Sequence, residues 1–138
     1  MTPEEKQILW KDLCMRLPYR VKIHGPKEND NILWELDYNM DIKEIVDDGW
    51  LPYLRPMSDM TEEEKEELKS EFCVDIRDED NGRHTERYGY VIVYHNFKDE
   101  SWYIPFEAID WLNKHHFDYR GLIEKGLALK APEGMYND

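Results

Sequence analysis

Two sequences of the form T-x-x-E mark where two helices of this chain begin. In this motif the threonine side chain accepts a hydrogen bond from the third helical residue, and the glutamate accepts one from the threonine backbone. The first motif, Thr2–Glu5, also places Pro3 at the first helical position, where its fixed φ suits a helix. The second, Thr61–Glu64, predicts a helix that runs to about Phe72.

The first helix carries apolar residues at helical spacing. Trp10, Leu13, Cys14 and Leu17 recur at i, i+3, i+4 and i+7, which predicts a single stripe facing the core. Pro18 forces the preceding residue out of the helical region, so we expect the helix to end there.

Strand patterns separate the two capping boxes. Tyr19–His24 alternates apolar and polar residues, and Ile32–Tyr38 is its predicted return strand. Ile42–Val46 is either a short strand or one helical turn. Trp50–Met57 is apolar but contains two prolines, so we expect it to pack in extended form.

A hairpin is predicted after the second helix. Val74–Ile76 begins a strand, Asn81-Gly82 is a strong turn signal, and Tyr88–Tyr94 is the clearest strand in the chain. Because Tyr88–Tyr94 is apolar on both faces, we expect it to lie centrally in a sheet. Trp102–Ile104 is its predicted hairpin partner.

The C-terminal third is predicted to be helical. A third helix begins at Pro105 or Phe106, and Tyr119–Lys125 is predicted to be a fourth, ended by Gly126. Residues 127–138 are expected to form a loosely held tail. Helices and strands do not alternate strictly, so we predict one α+β domain over residues 1–138, with a mainly antiparallel sheet and three to four short helices packed on it.

Acidic residues are concentrated in the middle of the chain. The whole sequence has a formal net charge of −13, and residues 41–80 hold 15 acidic and 5 basic side chains, a net of −10. Such a field repels phosphates, so we expect no direct binding to nucleic acid, and it attracts basic protein surfaces. Glu62, Glu63, Glu66 and Glu67 are the predicted acidic face. It either solubilises the protein or occupies a basic groove of a partner as a mimic of nucleic-acid charge.

The most suggestive chemical segment runs from His115 to Arg120. The candidate binding residues are His115, His116, Asp118, Tyr119 and Arg120. In the functional interpretation, the histidines and Asp118 bind a metal ion or shuttle protons, and Arg120 holds a phosphate or a carboxylate. The structural alternative assigns the histidines to a helix C-terminus and Asp118 to a helix cap. Adjacent histidines on a helix point about 100° apart, so we expect no shared metal ion.

Sequence motifs of the large enzyme groups are missing. The chain has no phosphate-binding loop, no dinucleotide fingerprint, no nucleophile elbow and no zinc-protease motif, so we expect no cofactor and favour binding over catalysis. It also has no apolar run of about 18 residues and no secretory signal, which predicts no membrane span and a cytoplasmic location.

Three strings of the sequence, taken together, resemble those of a known group of proteins. They are KDLCMRLPY at 11–19, YLRPMSDMTEEE at 53–64, and the stretch from WLN at 111–113 through APEGMY at 131–136. Together they resemble a family of small uncharacterised proteins from Bacteroides-type gut bacteria and their prophages. The resemblance implies a phage or mobile-element setting and a cytoplasmic protein, and it implies no catalytic residues.

These observations leave three functional hypotheses. The leading one is a non-enzymatic protein that binds a basic macromolecular partner through its acidic face. The second is a small enzyme or ligand-binding domain that uses the His115–Arg120 segment. The third is a structural or assembly component of a phage particle, and the oligomeric state stays open.

Overall fold

The computed structural model describes residues 1–26, 33–72, 74–77, 91–94 and 106–136. In these residues the helices are α1 (Pro3–Arg16), α2 (Ile42–Asp47), α3 (Glu62–Phe72) and α4 (Phe106–Lys114). The strands are β1 (Lys22–His24), β2 (Trp34–Glu35), β3 (Leu51–Leu54), β4 (Val74–Arg77), β5 (Val91–Tyr94) and β6 (Leu129–Lys130). The predicted turn at Asn81-Gly82, the first residues of the Tyr88–Tyr94 strand and its partner Trp102–Ile104 lie outside the described residues.

The strands form a mixed sheet and a separate two-stranded ladder. In the sheet the order is β2-β1-β3-β6; β1 is antiparallel to both neighbours, whereas β6 is parallel to β3. In the ladder β4 and β5 are antiparallel. The predicted α+β class is therefore confirmed, with one parallel pair where the C-terminal segment returns to the sheet.

Both capping boxes form as predicted. The Thr2 backbone N–H donates to Glu5 Oε1 at 2.9 Å, and the Glu5 N–H donates to Thr2 Oγ1 at 3.1 Å. At α3 the Thr61 N–H donates to Glu64 Oε1 at 3.0 Å, and the Glu64 N–H donates to Thr61 Oγ1 at 3.1 Å. Each box satisfies two backbone groups that the first helical turn leaves without a partner.

The buried face of α1 differs from the predicted stripe. Leu9 and Leu13 are fully buried, whereas Trp10 is 43% exposed. Asp12 and Arg16 are also fully buried, on the same side as the two leucines. The prediction around Trp10 is wrong because the buried face includes an ionic pair, which a purely apolar pattern does not detect.

The apolar side chains divide into two core clusters. The first joins α1, the sheet, α2 and the C-terminal segment through Leu9, Leu13, Val21, Ile23, Leu36, Val46, Leu54, Leu122, Leu127 and Ala128. The second joins α3, α4 and the chain after β3 through Met57, Met60, Leu68, Ala108, Trp111, Leu112, Phe117 and Tyr119.

The structure decides one segment that the sequence left open and corrects the prediction for another. Ile42–Asp47 is a helix because the Asp41 side chain caps it, accepting from the Glu44 N–H at 3.2 Å. The predicted fourth helix at Tyr119–Lys125 is wrong, since this stretch consists of turns. Gly121, at φ +71°, interrupts any regular helix there.

The C-terminal segment is packed up to residue 136, so the expectation of a loosely held tail from 127 is wrong for that part. Leu127 is only 2% exposed. The Tyr136 hydroxyl donates to the Tyr53 carbonyl at 2.7 Å and accepts from the Lys22 backbone N–H at 2.9 Å. Apolar burial and the parallel β3–β6 pair hold this segment in place, although Pro132 and Gly134 had indicated a loosely held end.

Candidate functional site

The His115–Arg120 segment begins where α4 ends. His116 adopts a left-handed backbone conformation, φ +64°, which reverses the chain direction. The Phe117 N–H then donates to the Leu112 carbonyl at 3.0 Å, and the Arg55 N–H donates to the His116 carbonyl at 2.8 Å. The segment is thereby fixed beside the end of β3.

The two histidine rings contact different neighbours. The His115 ring lies against Trp111, with 4.1 Å between ring centroids. The His116 ring stacks on Tyr136, with 3.8 Å between centroids. The imidazoles therefore pack against separate parts of the fold.

Burial controls the protonation of His116. It lowers the pKa of this histidine to about 4, and the nearby Arg16 cation adds to the effect. His116 Nδ1 is buried and has no hydrogen-bond partner among the described residues. A neutral ring stacked on Tyr136 is thus the form that the fold accommodates.

This geometry predicts a specific loss of stability in acid. An unfolded histidine has a pKa near 6.5, so from about pH 6.5 down to about 4 the unfolded chain binds more protons than the folded protein. The His116 contribution to stability is therefore present above pH 6.5 and decreases as the pH falls toward 4. Urea unfolding between pH 7.5 and 4.5 should show the His116→Asn variant gaining stability relative to the native protein, since asparagine tolerates positive φ and does not titrate. Stability curves that stay parallel over this range would contradict the assignment.

Asp118 and Tyr119 are engaged in local structure. Asp118 accepts from the backbone N–H groups of Leu122 at 2.8 Å and Ile123 at 2.9 Å, so it caps the turns that follow. Burial raises the pKa of Asp118, and these two N–H donors oppose the rise. The buried Tyr119 hydroxyl donates to Asn113 Oδ1 at 3.0 Å.

A buried ion pair on α1, which was not among the residues predicted from the sequence, completes this polar cluster. Arg16 Nε donates to Asp12 Oδ2 at 2.7 Å, and Arg16 Nη2 donates to the Phe117 carbonyl at 2.7 Å. Arg120 Nε lies 3.7 Å from Asp12 Oδ1. The i,i+4 spacing of Asp12 and Arg16 was the available sequence signal.

The cluster therefore holds parts of the fold together. Asp12 and Arg16 join α1 to the turn at Phe117, and Arg120 adds a second cation to the same carboxylate. Among the residues that the structure describes, no group of three or more His, Cys, Asp or Glu side chains is placed to hold a metal ion. The arrangement accounts for packing.

The acidic side chains of α3 are displayed on the surface. Glu62, Glu63, Glu66 and Glu67 are all exposed, and the Glu62 side chain is 89% exposed. Lys65 Nζ lies 3.4 Å from Glu62 Oε1. Residues four apart on a helix are neighbours, so the glutamates form two like-charged pairs, 62 with 66 and 63 with 67.

Other contacts fix the orientation of α3. Arg55 donates through both terminal nitrogens to the Glu64 carboxylate, at 2.9 and 2.8 Å. Burial would raise the pKa of Glu64, but the hydrogen bonds from Arg55 and the Thr61 N–H lower it overall. Trp111 Nε1 donates to Glu67 Oε1 at 3.2 Å. The exposed glutamates therefore stand on a helix with a well-defined position.

Among the side chains that the structure describes, most of the central acidity lies on or beside two helices that pack in different places. α2 packs on α1 and contributes Val46 to the first core cluster, whereas α3 packs on α4 and contributes Leu68 to the second. Asp41 and Glu44 are exposed at α2. Exposed carboxylates therefore lie on two separate surfaces of the protein.

The fold and the polar cluster define a small α+β domain whose candidate recognition groups are surface carboxylates. No family model, no curated protein and no solved structure matches this chain. Within the described residues, no helix combines the length and apolar character needed to cross a membrane.

Proposed function

We propose that this protein is a binding protein that recognises a basic macromolecular surface through the α3 glutamates Glu62, Glu63, Glu66 and Glu67. The supporting observation is their display: four exposed carboxylates stand on one helix whose position is fixed by the Arg55–Glu64 pair. Holding like charges close together costs energy in the free protein, and a polycationic partner relieves that repulsion.

The expected binding is electrostatic and sensitive to salt. Exposed charges interact over about 8 Å at physiological ionic strength, so the carboxylates attract a basic surface before contact. Individual exposed ion pairs are weak, about 0.2–1 kcal/mol each. Affinity for a basic partner therefore depends on several carboxylates acting together.

A charge-neutralised α3 tests this proposal. The combined variant Glu62→Gln, Glu63→Gln, Glu66→Gln and Glu67→Gln should bind a nona-arginine peptide about tenfold more weakly than the native protein. Four pairs at about 0.35 kcal/mol each, in the lower part of the range for exposed pairs, sum to about 1.4 kcal/mol. Calorimetric titration at low salt measures the change. The amide oxygen that Glu67→Gln introduces can still accept the hydrogen bond from Trp111, so the helix keeps its packing.

The matched control removes the same charge elsewhere. Glu4, Glu107, Glu124 and Glu133 are exposed glutamates outside α3, and changing all four to glutamine alters the net charge equally. This control should lose no more than about threefold in affinity. Equal losses in both combined variants would show that net charge, and not the α3 surface, attracts the peptide.

The setting of this activity is also part of the proposal. The resemblance noted in the sequence supports a cytoplasmic protein of phage or mobile-element origin. The alternative is an assembly role in a phage particle, which would be favoured if the protein eluted together with particles from a sizing column. A ligand site at His115–Arg120 is less favoured, because Asp118, Tyr119 and Arg120 each contact the protein itself.

A further inference from the structure

An apolar groove beside α2 is separate from the α3 surface. It has a volume of about 480 Å³. Trp34, Ile45 and Trp50 are among its lining residues. Trp34 is 46% exposed, so a large aromatic surface faces the solvent at this point.

Carboxylates also line this groove. Asp41, Glu44 and Asp48 all contribute to it and are exposed. Asp41 accepts the capping bond from the Glu44 backbone N–H. Among the described residues, neither Glu44 nor Asp48 lies within ion-pair distance of a cation. The groove therefore combines an apolar wall with negative charge that the described part of the protein does not neutralise.

This combination distinguishes the groove from the other cavities. A cavity between α1 and α2 is lined by Lys6 and Lys43 as well as Asp47, and the Lys6 ammonium lies 3.3 Å from the Asp47 carboxylate. A cavity near the C-terminal segment mixes Arg55 and Lys130 with acidic residues. Only in the groove beside α2, among these three, are all charged lining residues acidic.

We infer that the groove beside α2 binds a basic peptide segment of a partner protein, in which arginine or lysine alternates with an apolar side chain. The apolar side chain packs against Trp34 and Ile45, and the cationic head lies against Glu44 and Asp48. Arginine and lysine suit such a site because their aliphatic stems pack on apolar surface while their charge remains at the edge. A guanidinium over an indole face gains cation–π attraction as well.

The inference rests on the proposed function, because both require a basic partner, and it adds a sequence requirement. A uniformly cationic surface can pair with the α3 glutamates, but it supplies no apolar side chain to pack in the groove. Charge sets the rate and orientation of encounter, whereas buried aromatic contacts contribute most of the affinity. A partner segment that engages both surfaces would carry additional charges outside the alternating sequence.

The test uses the blocked peptide RLRLR and the full-length protein, with binding followed by fluorescence anisotropy of a labelled peptide. We expect Trp34→Ser, and separately the Glu44→Gln/Asp48→Asn variant, to weaken binding at least fivefold. The matched control is Trp10→Ser, which removes a tryptophan of similar exposure, 43%, outside the groove and should change the affinity less than twofold. Unchanged urea midpoints show that each variant remains folded.

Peptide changes identify which contact is lost. Replacing the leucines of RLRLR by serine should weaken binding to the native protein but not to Trp34→Ser, because the two changes remove the same contact. Replacing the arginines by citrulline should weaken binding to both proteins, because the carboxylates of the groove remain in Trp34→Ser. The inference is overturned if the native protein does not bind RLRLR at about 1 mM, or if Trp10→Ser weakens binding as much as Trp34→Ser. It is also overturned if the loss of affinity from the leucine-to-serine peptide and the loss from Trp34→Ser are additive.

Failure of this inference is distinguishable from failure of the proposed function. If the groove variants leave RLRLR binding unchanged while the α3 variant still reduces nona-arginine binding, the groove is not a binding site and the proposed function stands. If the groove variants lose RLRLR binding while the α3 variant leaves nona-arginine binding unaffected, the proposed function of the α3 glutamates is rejected and the groove remains a binding site.

Discussion

Replacing Asp12 by alanine is expected to lower the free energy of unfolding by about 3–5 kcal/mol, because it leaves the Arg16 guanidinium buried without its counter-ion. Both side chains are fully buried, and Arg16 Nη1 already has no hydrogen-bond partner in the described structure. Burial alone would lower the pKa of Arg16, and the Asp12 carboxylate is the main group that raises it. Urea denaturation at pH 7 measures the loss.

Two comparisons separate this effect from a general cost of substitution. Asp47→Ala removes the exposed partner of Lys6, at 3.3 Å, and should cost less than about 1 kcal/mol. The double variant Asp12→Leu/Arg16→Met replaces both charges with apolar volume and should recover much of the stability, since apolar replacement of a buried pair is often neutral. A loss of under about 1 kcal/mol for Asp12→Ala would show that the pair does not hold the fold together.

Ending the chain at Gly126 is expected to abolish cooperative unfolding. The deletion removes β6, the buried Leu127 and the two hydrogen bonds of the Tyr136 hydroxyl. A buried leucine alone contributes about 2–5 kcal/mol, against a total stability of about 5–15 kcal/mol for a typical domain. Circular dichroism during urea titration should therefore show no sharp transition.

If the truncated chain aggregates, single substitutions in the C-terminal segment still measure how much that segment contributes to the free energy of unfolding. Leu127→Ala should cost about 2–5 kcal/mol through the cavity that it leaves. Glu133→Ala, at an exposed position of the same segment, should cost less than about 0.5 kcal/mol. A truncated chain with the native urea midpoint would mean that the segment is held as loosely as its sequence suggests.

Local signals in the sequence predicted the elements that begin with a specific cap. Thr2 and Thr61 each define a hydrogen bond within one helical turn, so four residues suffice to locate the start of the helix. The return of the C-terminal segment beside β3 was not predictable in this way. The partners of Tyr136 are 83 and 114 positions distant in the sequence, and nothing local to the tail specifies them.

The candidate site shows the same division. The sequence identified Asp118 as a capping residue, and the structure gives it two backbone N–H donors, although it caps turns and not a helix. Arg16 was overlooked because a charged residue on an apolar helix face is normally assigned to the surface. Its burial depends on Phe117, 101 positions away, whose carbonyl accepts one of its hydrogen bonds.

We propose that recognition belongs to the surface carboxylates, whereas the contacts of the His115–Arg120 segment hold the fold together. The most direct measurement is a nona-arginine titration followed by backbone amide chemical shifts. We expect the largest shifts at 62–71 in α3, smaller ones at 41–48, and none above the average at 115–120. Shifts concentrated at 115–120, with α3 unchanged, would show that the peptide binds at the His115–Arg120 segment and not at the α3 glutamates.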